Sequence, residues 1–186
     1  MILNKLEKIV QSVDINITEN QLLDLLKNIK RWPYKYPWGQ GSVEIINNLG
    51  ALNKELFFSS KNNFGFNYLD FEKWIYYYDL GYTTIISNIL DLTKELRILE
   101  KKLSDAIGSN INANFYFSKP GQLPSFEPHV HSYDVIVKQI YGNSEWQIEN
   151  KKLILKPKKT LIVPRNTLHN VINKINKKLS LTINIE

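Results

Sequence analysis

The chain has 186 residues, 43% of them hydrophobic, so it can bury one sizeable core without a second domain. It contains no cysteine, which excludes disulfides and thiolate ligands and fits a cytoplasmic protein, and no apolar run reaches the roughly 18 residues that a membrane span needs. The net charge of +6 could attract RNA, but a bias towards Lys, Asn and Ile explains it equally well. No nucleic-acid-binding motif accompanies the charge, so we do not expect a nucleic acid as partner.

The N-terminal region, residues 2–30, predicts two amphipathic helices. Apolar residues recur at helical spacing over residues 2–13, and Thr18 with Gln21 forms a capping box for a second helix. The region lacks the basic start, continuous apolar stretch and cleavage site of a signal peptide. Its apolar faces need a partner surface, so we expect these helices on the outside of the main domain or at a homodimer interface, away from the chemistry.

Residues 31–39 contain two prolines and four aromatic residues, which excludes a regular helix. Two interpretations stay open for this segment: a loop packed over the end of a barrel, or an aromatic, basic lip on a substrate entrance. Residues 40–69 have a mixed pattern that predicts only a turn near Gly65.

Two further helices are predicted before residue 111, where the residue pattern becomes typical of β-strands. Asp70 begins a short helix over residues 71–79, and Asp91 or Thr93 caps a longer one that ends near Gly108. Short strands then alternate with turn signals, a spacing typical of a sandwich or closed barrel. These strands are predicted at residues 112–118, 133–141, 145–148, 153–155, 160–163, 168–172 and 179–185, and one more, residues 82–87, lies between the two helices.

The three histidines of the chain lie in only two places. His129 and His131 open a strand, where residues i and i+2 point to the same face, so both imidazoles can reach one ion. His169 follows another apolar strand and would complete a set of three ligands. Three protein ligands leave positions open for substrate or oxygen, as a catalytic metal requires. The alternative is that they are ordinary surface or core histidines.

The two histidine stretches resemble the two motifs of the cupins. His129-x-His131 followed by Gly142 is similar to the first motif, and the P-x-N-x-x-H run of residues 164–169 is similar to the second. Asn166 stands where the family usually has glycine, and Asn is a common substitute where φ must be positive.

The match is closer to the JmjC-type oxygenases, and among them to the ribosomal-protein hydroxylases. That branch has an N-F-Y stretch, a P-H-x-D-x-x-D-V run, a Gln strand, a Gly turn and a Trp in this order. The counterparts here are residues 114–116, 128–135, Gln139, Gly142 and Trp146. The resemblance implies a double-stranded β-helix, Fe(II) and O2 with 2-oxoglutarate as co-substrate, and hydroxylation of a protein side chain. It implies His129 and His169 as iron ligands.

The first departure from the family pattern is His131, where the family usually has Asp or Glu. Three neutral imidazoles leave the site one unit more positive, although imidazole also suits Fe, Ni, Cu and Zn. Cupins with three His ligands include dioxygenases that need no 2-oxoglutarate. Glu127, two residues before His129, could restore a carboxylate as an extra ligand, or could be a solvated loop acid.

The second departure is Ser144, where the family usually has a Lys or Arg that pairs with the distal carboxylate of 2-oxoglutarate. A buried carboxylate without a basic partner is costly. Lys138 or Arg165 could substitute for this cation, the alternative for each being a surface position.

Four further residues are site candidates through the same resemblance. Asp134 is interpreted as an outer partner of the ligands or a strand cap, and Asn173 as a partner of His169 or a strand-end cap. Tyr116 and Asn114 are expected to line the pocket, the alternatives being a core aromatic and a turn amide.

These observations predict a mainly β protein with N-terminal helices, in which a helical and irregular segment of residues 1–69 packs on a cupin (jelly-roll) barrel of residues 70–186. The expected function is a non-haem Fe(II) oxygenase acting on a peptide, protein or small molecule, with 2-oxoglutarate as candidate co-substrate. Two alternatives stay open: a three-His dioxygenase that does not use 2-oxoglutarate, and a non-catalytic cupin that binds a metal or ligand.

Overall fold

The computed structural model describes residues 2–28, 30–31, 43–60, 67–109, 111–120, 124–173 and 176–186. These residues form four α-helices and thirteen β-strands. The helices are α1 Ile2–Ser12, α2 Glu19–Asn28, α3 Phe71–Asp79 and α4 Lys94–Ile107. The strands are β1 Lys30–Arg31, β2 Val43–Asn47, β3 Gly50–Ala51, β4 Phe58–Ser60, β5 Asn67–Leu69, β6 Thr83–Ser87, β7 Asn112–Ser118, β8 Asp134–Tyr141, β9 Ser144–Ile148, β10 Lys151–Leu155, β11 Thr160–Val163, β12 His169–Asn173 and β13 Lys178–Ile185.

The helix starts follow the capping residues read from the sequence. At α2, the Thr18 backbone N–H donates to Gln21 Oε1 and the Gln21 N–H donates to Thr18 Oγ1, a reciprocal capping box. Asp70 and Thr93 accept backbone N–H groups at the starts of α3 and α4, and α4 ends at Gly108 with φ of 72°. Each side-chain oxygen thus satisfies an N–H group that the first helical turn leaves without an internal partner.

Two facing antiparallel sheets form the barrel. The larger has seven strands in the order β11-β8-β13-β7-β6-β2-β3, and the smaller has three in the order β10-β9-β12. Their inner faces share an apolar cluster to which both sheets contribute, among them Val135 and Val137 of β8, Trp146 of β9 and Val171 of β12. Strands β1, β5 and β4 form a separate small sheet. The mainly β prediction with N-terminal helices is confirmed.

The opposite face of the large sheet carries the main hydrophobic core. Residues 113, 115 and 117 of β7 and 179, 181 and 183 of β13 point to this side and pack with helical residues such as Leu6, Leu96 and Leu99. Because side chains alternate along a strand, the intervening residues of β7 and β13 face the barrel interior. The large sheet therefore separates an apolar helical layer from the interior in which the site lies.

Helix α1 packs on the barrel strands β8 and β11 and on α4. Its residues Leu6 and Val10 are fully buried. The N-terminal region also contributes strands, because β2 pairs with β6 inside the large sheet. Strand β2 was not predicted, since residues 40–69 show no clear alternation of apolar and polar residues.

Residues 32–42 lie outside the described part of the chain, and with them most of the proline- and aromatic-rich segment for which two interpretations were left open. The turn predicted near Gly65 also lies outside it. None of the helices in the described ranges has the length and apolar character that crossing a membrane requires.

Candidate metal centre

The three histidines meet at one mouth of the barrel. His129 and His131 lie in the extended segment that leads into β8, and His169 is the first residue of β12. The imidazole centroids are 4.8 Å apart for His129 and His131, 4.5 Å for His129 and His169, and 5.1 Å for His131 and His169. One ligand atom from each ring lies within 4.8 Å of the other two, so a single ion can contact all three.

Backbone hydrogen bonds fix the relative positions of these residues. His129 and His169 exchange two bonds across an antiparallel bridge, with N···O distances of 3.1 and 3.0 Å. His131 is fixed through its carbonyl, which accepts the Asn166 N–H at 2.7 Å. Asn166 has φ of 61°, the positive value that its place in the second cupin-like motif predicts.

The ring orientations leave a nitrogen free on two of the histidines. His129 Nδ1 lies 2.8 Å from the Glu127 carbonyl oxygen, and His169 Nδ1 lies 2.8 Å from the Thr167 carbonyl oxygen. A carbonyl only accepts, so each Nδ1 carries the proton and each Nε2 keeps its lone pair. Carbonyl partners of this kind orient metal-binding histidines.

The site favours neutral imidazoles. Burial, together with the neighbouring His129 and His169, lowers the pKa of His131 to about 4. Burial also lowers the pKa of His169, an effect that its bond to Thr167 opposes. At neutral pH these two rings therefore present lone pairs, as metal binding requires.

Aromatic side chains surround the imidazoles. Tyr133 stacks on His131 at 4.8 Å with an angle of 13°, and Trp146 stacks near His169 at 6.3 Å. Phe126 contacts His129 at 5.2 Å between centroids. These contacts limit the rotation of the rings and shield one side of the site from water.

A cavity leads from the histidines into the barrel. Its apolar lining comes from Val135, Val137, Val163, Val171, Trp146 and Phe126. Its polar lining comes from the three histidines and from Tyr116, Ser125, Asn170, Lys178, Ser180 and Thr182. An apolar cavity with a few convergent polar groups is the usual form of a small-molecule site.

Apart from the histidines, the described cavity lining contains one of the residues that the sequence assigned to the pocket, Tyr116. Burial raises the pKa of its hydroxyl, so the group stays protonated and can donate a hydrogen bond. Asn114 lies two residues earlier on the same face of β7, where its Oδ1 is buried, but it does not line the cavity.

The two cations proposed for the co-substrate carboxylate have other partners. Lys138 points to the outer side of β8, where Nζ donates to the carbonyls of Val10 and Val13 at the end of α1. Arg165 forms an ion pair with Asp134, with Nη2 2.9 Å from Oδ2. Strand alternation turns Lys138 away from the cavity, and Asp134 holds Arg165 at the surface, so neither side chain lines the cavity in this structure.

Ser144 is part of a buried polar network and does not line the cavity. Its hydroxyl donates to Gln139 Oε1 at 3.0 Å and accepts the Trp146 indole N–H at 2.9 Å. Ser180 donates to the same Gln139 oxygen at 2.9 Å. The structure therefore places Ser144 in this network, next to Ser180, which does line the cavity.

The remaining candidates lie around the mouth. The Glu127 side chain is exposed and is not part of the ligand cluster, so it does not supply the proposed carboxylate; its backbone carbonyl holds His129 instead. Asp134 accepts the Arg165 N–H at 2.8 Å in addition to the guanidinium, so it acts as a cap on the turn before Asn166 and does not contact a histidine ring. Asn173 ends β12, and its side chain lies outside the described part of the structure.

The donor set fits a divalent transition metal. Imidazole nitrogens suit Fe(II), Zn(II), Ni(II) and Cu(II), and three protein ligands on one side leave positions for other ligands. A double-stranded barrel with such a histidine cluster at its mouth defines the cupin class of metal sites.

Comparisons with known proteins agree with this class. The family model described as JmjC domain matches residues 91–161, a segment that includes His129 and His131. The match covers less than half of the chain, which is therefore similar to JmjC domains over this segment. No curated protein sequence matches the chain significantly.

Solved structures of YcfD share the fold. YcfD, a ribosomal oxygenase from Escherichia coli in complex with cobalt and succinic acid, superposes with a TM-score of 0.60 at 13% identity, over 91% of this chain and 44% of YcfD. A second YcfD structure superposes with a TM-score of 0.59 at 12% identity, over 91% of this chain and 43% of YcfD. A cupin superfamily protein from Desulfitobacterium hafniense has a TM-score of 0.36 at 14% identity, over 40% of this chain and 66% of that protein. The chain spans less than half the length of YcfD.

Proposed function

We propose that this protein is an Fe(II)-dependent oxygenase of the JmjC type, which uses O2 to hydroxylate a peptide, protein or small molecule. The observation that carries the proposal is the cluster of His129, His131 and His169, whose ligand atoms lie within 4.8 Å of one another beside an apolar cavity. When bound, Fe(II) supplies the redox chemistry that O2 requires.

The residues of the chain hold and shield this site. The Glu127 and Thr167 carbonyls keep the free Nε2 atoms of His129 and His169 available. The apolar lining lowers the local dielectric and excludes water, which strengthens electrostatic contacts to a bound substrate. The protonated Tyr116 hydroxyl can donate a hydrogen bond to a carbonyl or carboxylate oxygen in the cavity.

We further propose 2-oxoglutarate as co-substrate. The succinic acid in the YcfD complex supports a dicarboxylic acid as ligand of this fold, and the description of YcfD as a ribosomal oxygenase supports a protein or peptide as substrate. Three neutral imidazoles leave the full +2 charge of the ion uncompensated, which a dianionic ligand would balance.

A second candidate is a three-His dioxygenase that binds its substrate without 2-oxoglutarate. Two observations favour it: His131 stands in place of a carboxylate ligand, and Ser144, where the family has a basic residue, belongs to a buried network. A third candidate, a metal-binding cupin without catalysis, predicts no oxygen consumption at all.

The test is oxygen uptake by protein reconstituted anaerobically with Fe(II), measured with and without 2-oxoglutarate, while succinate is quantified. Uptake that requires 2-oxoglutarate and yields equimolar succinate supports the main proposal. Uptake with a substrate but without succinate supports the second candidate. The matched control is His169→Ala, which should abolish uptake in either case because it removes one ligand of the ion.

A further inference from the structure

A lysine that the sequence did not single out lies inside the cavity. Lys178, the first residue of β13, is only 2% exposed and lines the same cavity as the histidines. Ser180 and Thr182 follow it on this face, while Leu179 and Leu181 point into the hydrophobic core on the other side of the sheet. The alternation of β13 therefore directs an ammonium group into the barrel interior.

The charge balance of the cavity favours an anionic ligand. Neither Asp nor Glu occurs among the described residues that line it. A divalent ion on three neutral imidazoles, together with the Lys178 ammonium, would place three positive charges around one small apolar space. A dianionic ligand that reaches both the ion and the ammonium matches this arrangement of positive groups.

Among the described residues that line the cavity, Lys178 is the basic one, and neither of the two cations considered first reaches this space. Lys138 holds the end of α1, and Arg165 pairs with Asp134 at the surface. Ser144, at the usual position of the basic residue, forms hydrogen bonds within the Gln139 network.

The position of Lys178 is fixed by the turn that packs against it. A Cβ added at Gly142 would lie 2.0 Å from the Lys177 carbonyl oxygen and 2.8 Å from Lys178 Cα. On the other side, Lys178 is paired with Ser118 of β7, whose hydroxyl is buried without a hydrogen-bond partner in the described structure. Ser118 is thus a neighbouring polar residue on the same face of the sheet.

We infer that Lys178 binds the carboxylate of a small acidic ligand whose other end reaches the metal held by the histidines. Resting on the proposed function, the inference assigns Lys178 to the distal carboxylate of 2-oxoglutarate, so that the cation comes from β13 and not from β9. The ammonium acts as a binding and positioning group and takes no part in proton transfer.

The test measures ligand binding and not turnover. Protein loaded with Co(II) under anaerobic conditions is titrated with 2-oxoglutarate, and binding is followed by calorimetry and by the Co(II) absorption spectrum. The comparison ligand is 2-oxovalerate, which keeps the 2-oxo acid group but has a methyl group in place of the distal carboxylate. Wild-type protein should bind 2-oxoglutarate about 10- to 100-fold more tightly than 2-oxovalerate, the range expected for one buried charge-assisted contact.

Lys178→Met should abolish this preference, while its affinity for Co(II) and for 2-oxovalerate stays near that of the wild type. Lys178→Arg, which keeps the charge, should retain part of the preference. The matched control is Lys177→Met, because Lys177 is exposed, pairs with Glu19 and is not in the cavity lining. Equal affinity of wild-type protein for the two acids, or an unchanged preference in folded, Co(II)-loaded Lys178→Met, would overturn the inference.

The comparison of the two acids in wild-type protein needs no variant, so the inference stays testable if Lys178→Met does not fold. The outcome is also separate from the proposed function. If the protein prefers 2-oxoglutarate in a Lys178-dependent way but consumes no oxygen, the carboxylate-binding role of Lys178 is supported and the proposed oxygenase function is contradicted. If the protein consumes oxygen but binds the two acids equally, the carboxylate-binding role of Lys178 is contradicted and the oxygenase function is still supported.

Discussion

His129 and His169 hold each other in register through two reciprocal backbone hydrogen bonds, with N···O distances of 3.1 and 3.0 Å. The two residues lie 40 positions apart in the chain, yet their backbones form one antiparallel bridge. The pair of metal-binding rings is therefore positioned by main-chain atoms, which a side-chain substitution at either residue leaves in place. Removing an imidazole should consequently damage metal binding far more than folding.

We predict that His129→Ala and His169→Ala each weaken Co(II) or Fe(II) binding by more than about 100-fold, with little loss of stability. His131→Asp should still bind the metal, because the new carboxylate gives the two-His, one-carboxylate set that non-haem iron also uses. Metal stoichiometry after dialysis and thermal unfolding of the metal-free variants measure the two effects. Full metal occupancy in His169→Ala would contradict the assigned site.

Asn166 should matter through its backbone conformation. Its φ of 61° directs its N–H to the His131 carbonyl, and a β-branched residue adopts such a φ only at considerable cost. Asn166→Val should therefore weaken metal binding by about 10- to 100-fold, as changes in the outer shell of a metal site do. Asn166→Gly, which tolerates positive φ, should bind metal like the wild type; equal loss in both variants would show that the Asn side chain is responsible.

The stability of the metal-free protein should fall with acidification between about pH 6.5 and about pH 4. Burial lowers the pKa of His131 from 6.5 to about 4, and it lowers that of His169 as well. In this window the unfolded chain binds protons that the folded chain does not, so the free energy of unfolding decreases as the pH falls. Urea unfolding across this range measures the slope, which should be smaller in His131→Gln; identical slopes would contradict the depressed pKa.

Lys138 should stabilise the attachment of α1 to the barrel. Its ammonium donates to the Val10 and Val13 carbonyls at distances of 2.9 and 2.5 Å, where the end of a helix leaves carbonyl groups without internal partners. Lys138→Met should lower the free energy of unfolding by ~1–3 kcal/mol, because two buried acceptors lose their donor. Metal affinity should not change, and a strong loss of it in the folded variant would place Lys138 in the site after all.

Gly142→Ala should destabilise the start of β13. Its φ is 70°, and the added Cβ would lie 2.0 Å from the Lys177 carbonyl oxygen, a contact that requires the backbone to shift. The expected loss in unfolding free energy is more than about 2 kcal/mol. Gly108→Ala is a matched control with φ of 72° and no atom within 4 Å of the added Cβ, so it should cost only ~1 kcal/mol. Similar losses in both variants would mean that φ alone, and not the contact, matters.

Much of the fold could be predicted because its signals are local. Thr18, Asp70 and Thr93 cap helices where the sequence places them, and the strands after residue 111 follow runs of β-favouring residues between turn signals. The grouping of the histidines was predictable too, since two lie two residues apart and the third occurs in the only other motif of that type.

The partners of the charged residues could not be predicted, because they depend on distant parts of the chain. Lys138 belongs to an apolar strand, and only the packed structure shows that α1 covers its outer face. Lys178 follows Lys177 and looks like half of an exposed pair. One signal could have identified it: apolar residues at 179, 181, 183 and 185 assign the even positions of β13 to the other face, together with Ser180 and Thr182.

Because β13 and β7 have one face in the hydrophobic core and the other in the cavity, the ligand specificity of the protein can change without changes in the core. Residues that pack in the hydrophobic core alternate along the same strands with residues that line the cavity. New polar groups can therefore be introduced at positions 116, 178, 180 or 182 without removing a side chain from the helical core. A library restricted to these inward positions should yield mostly folded proteins with altered ligand preference, whereas the same substitutions one residue along would yield mostly unfolded ones.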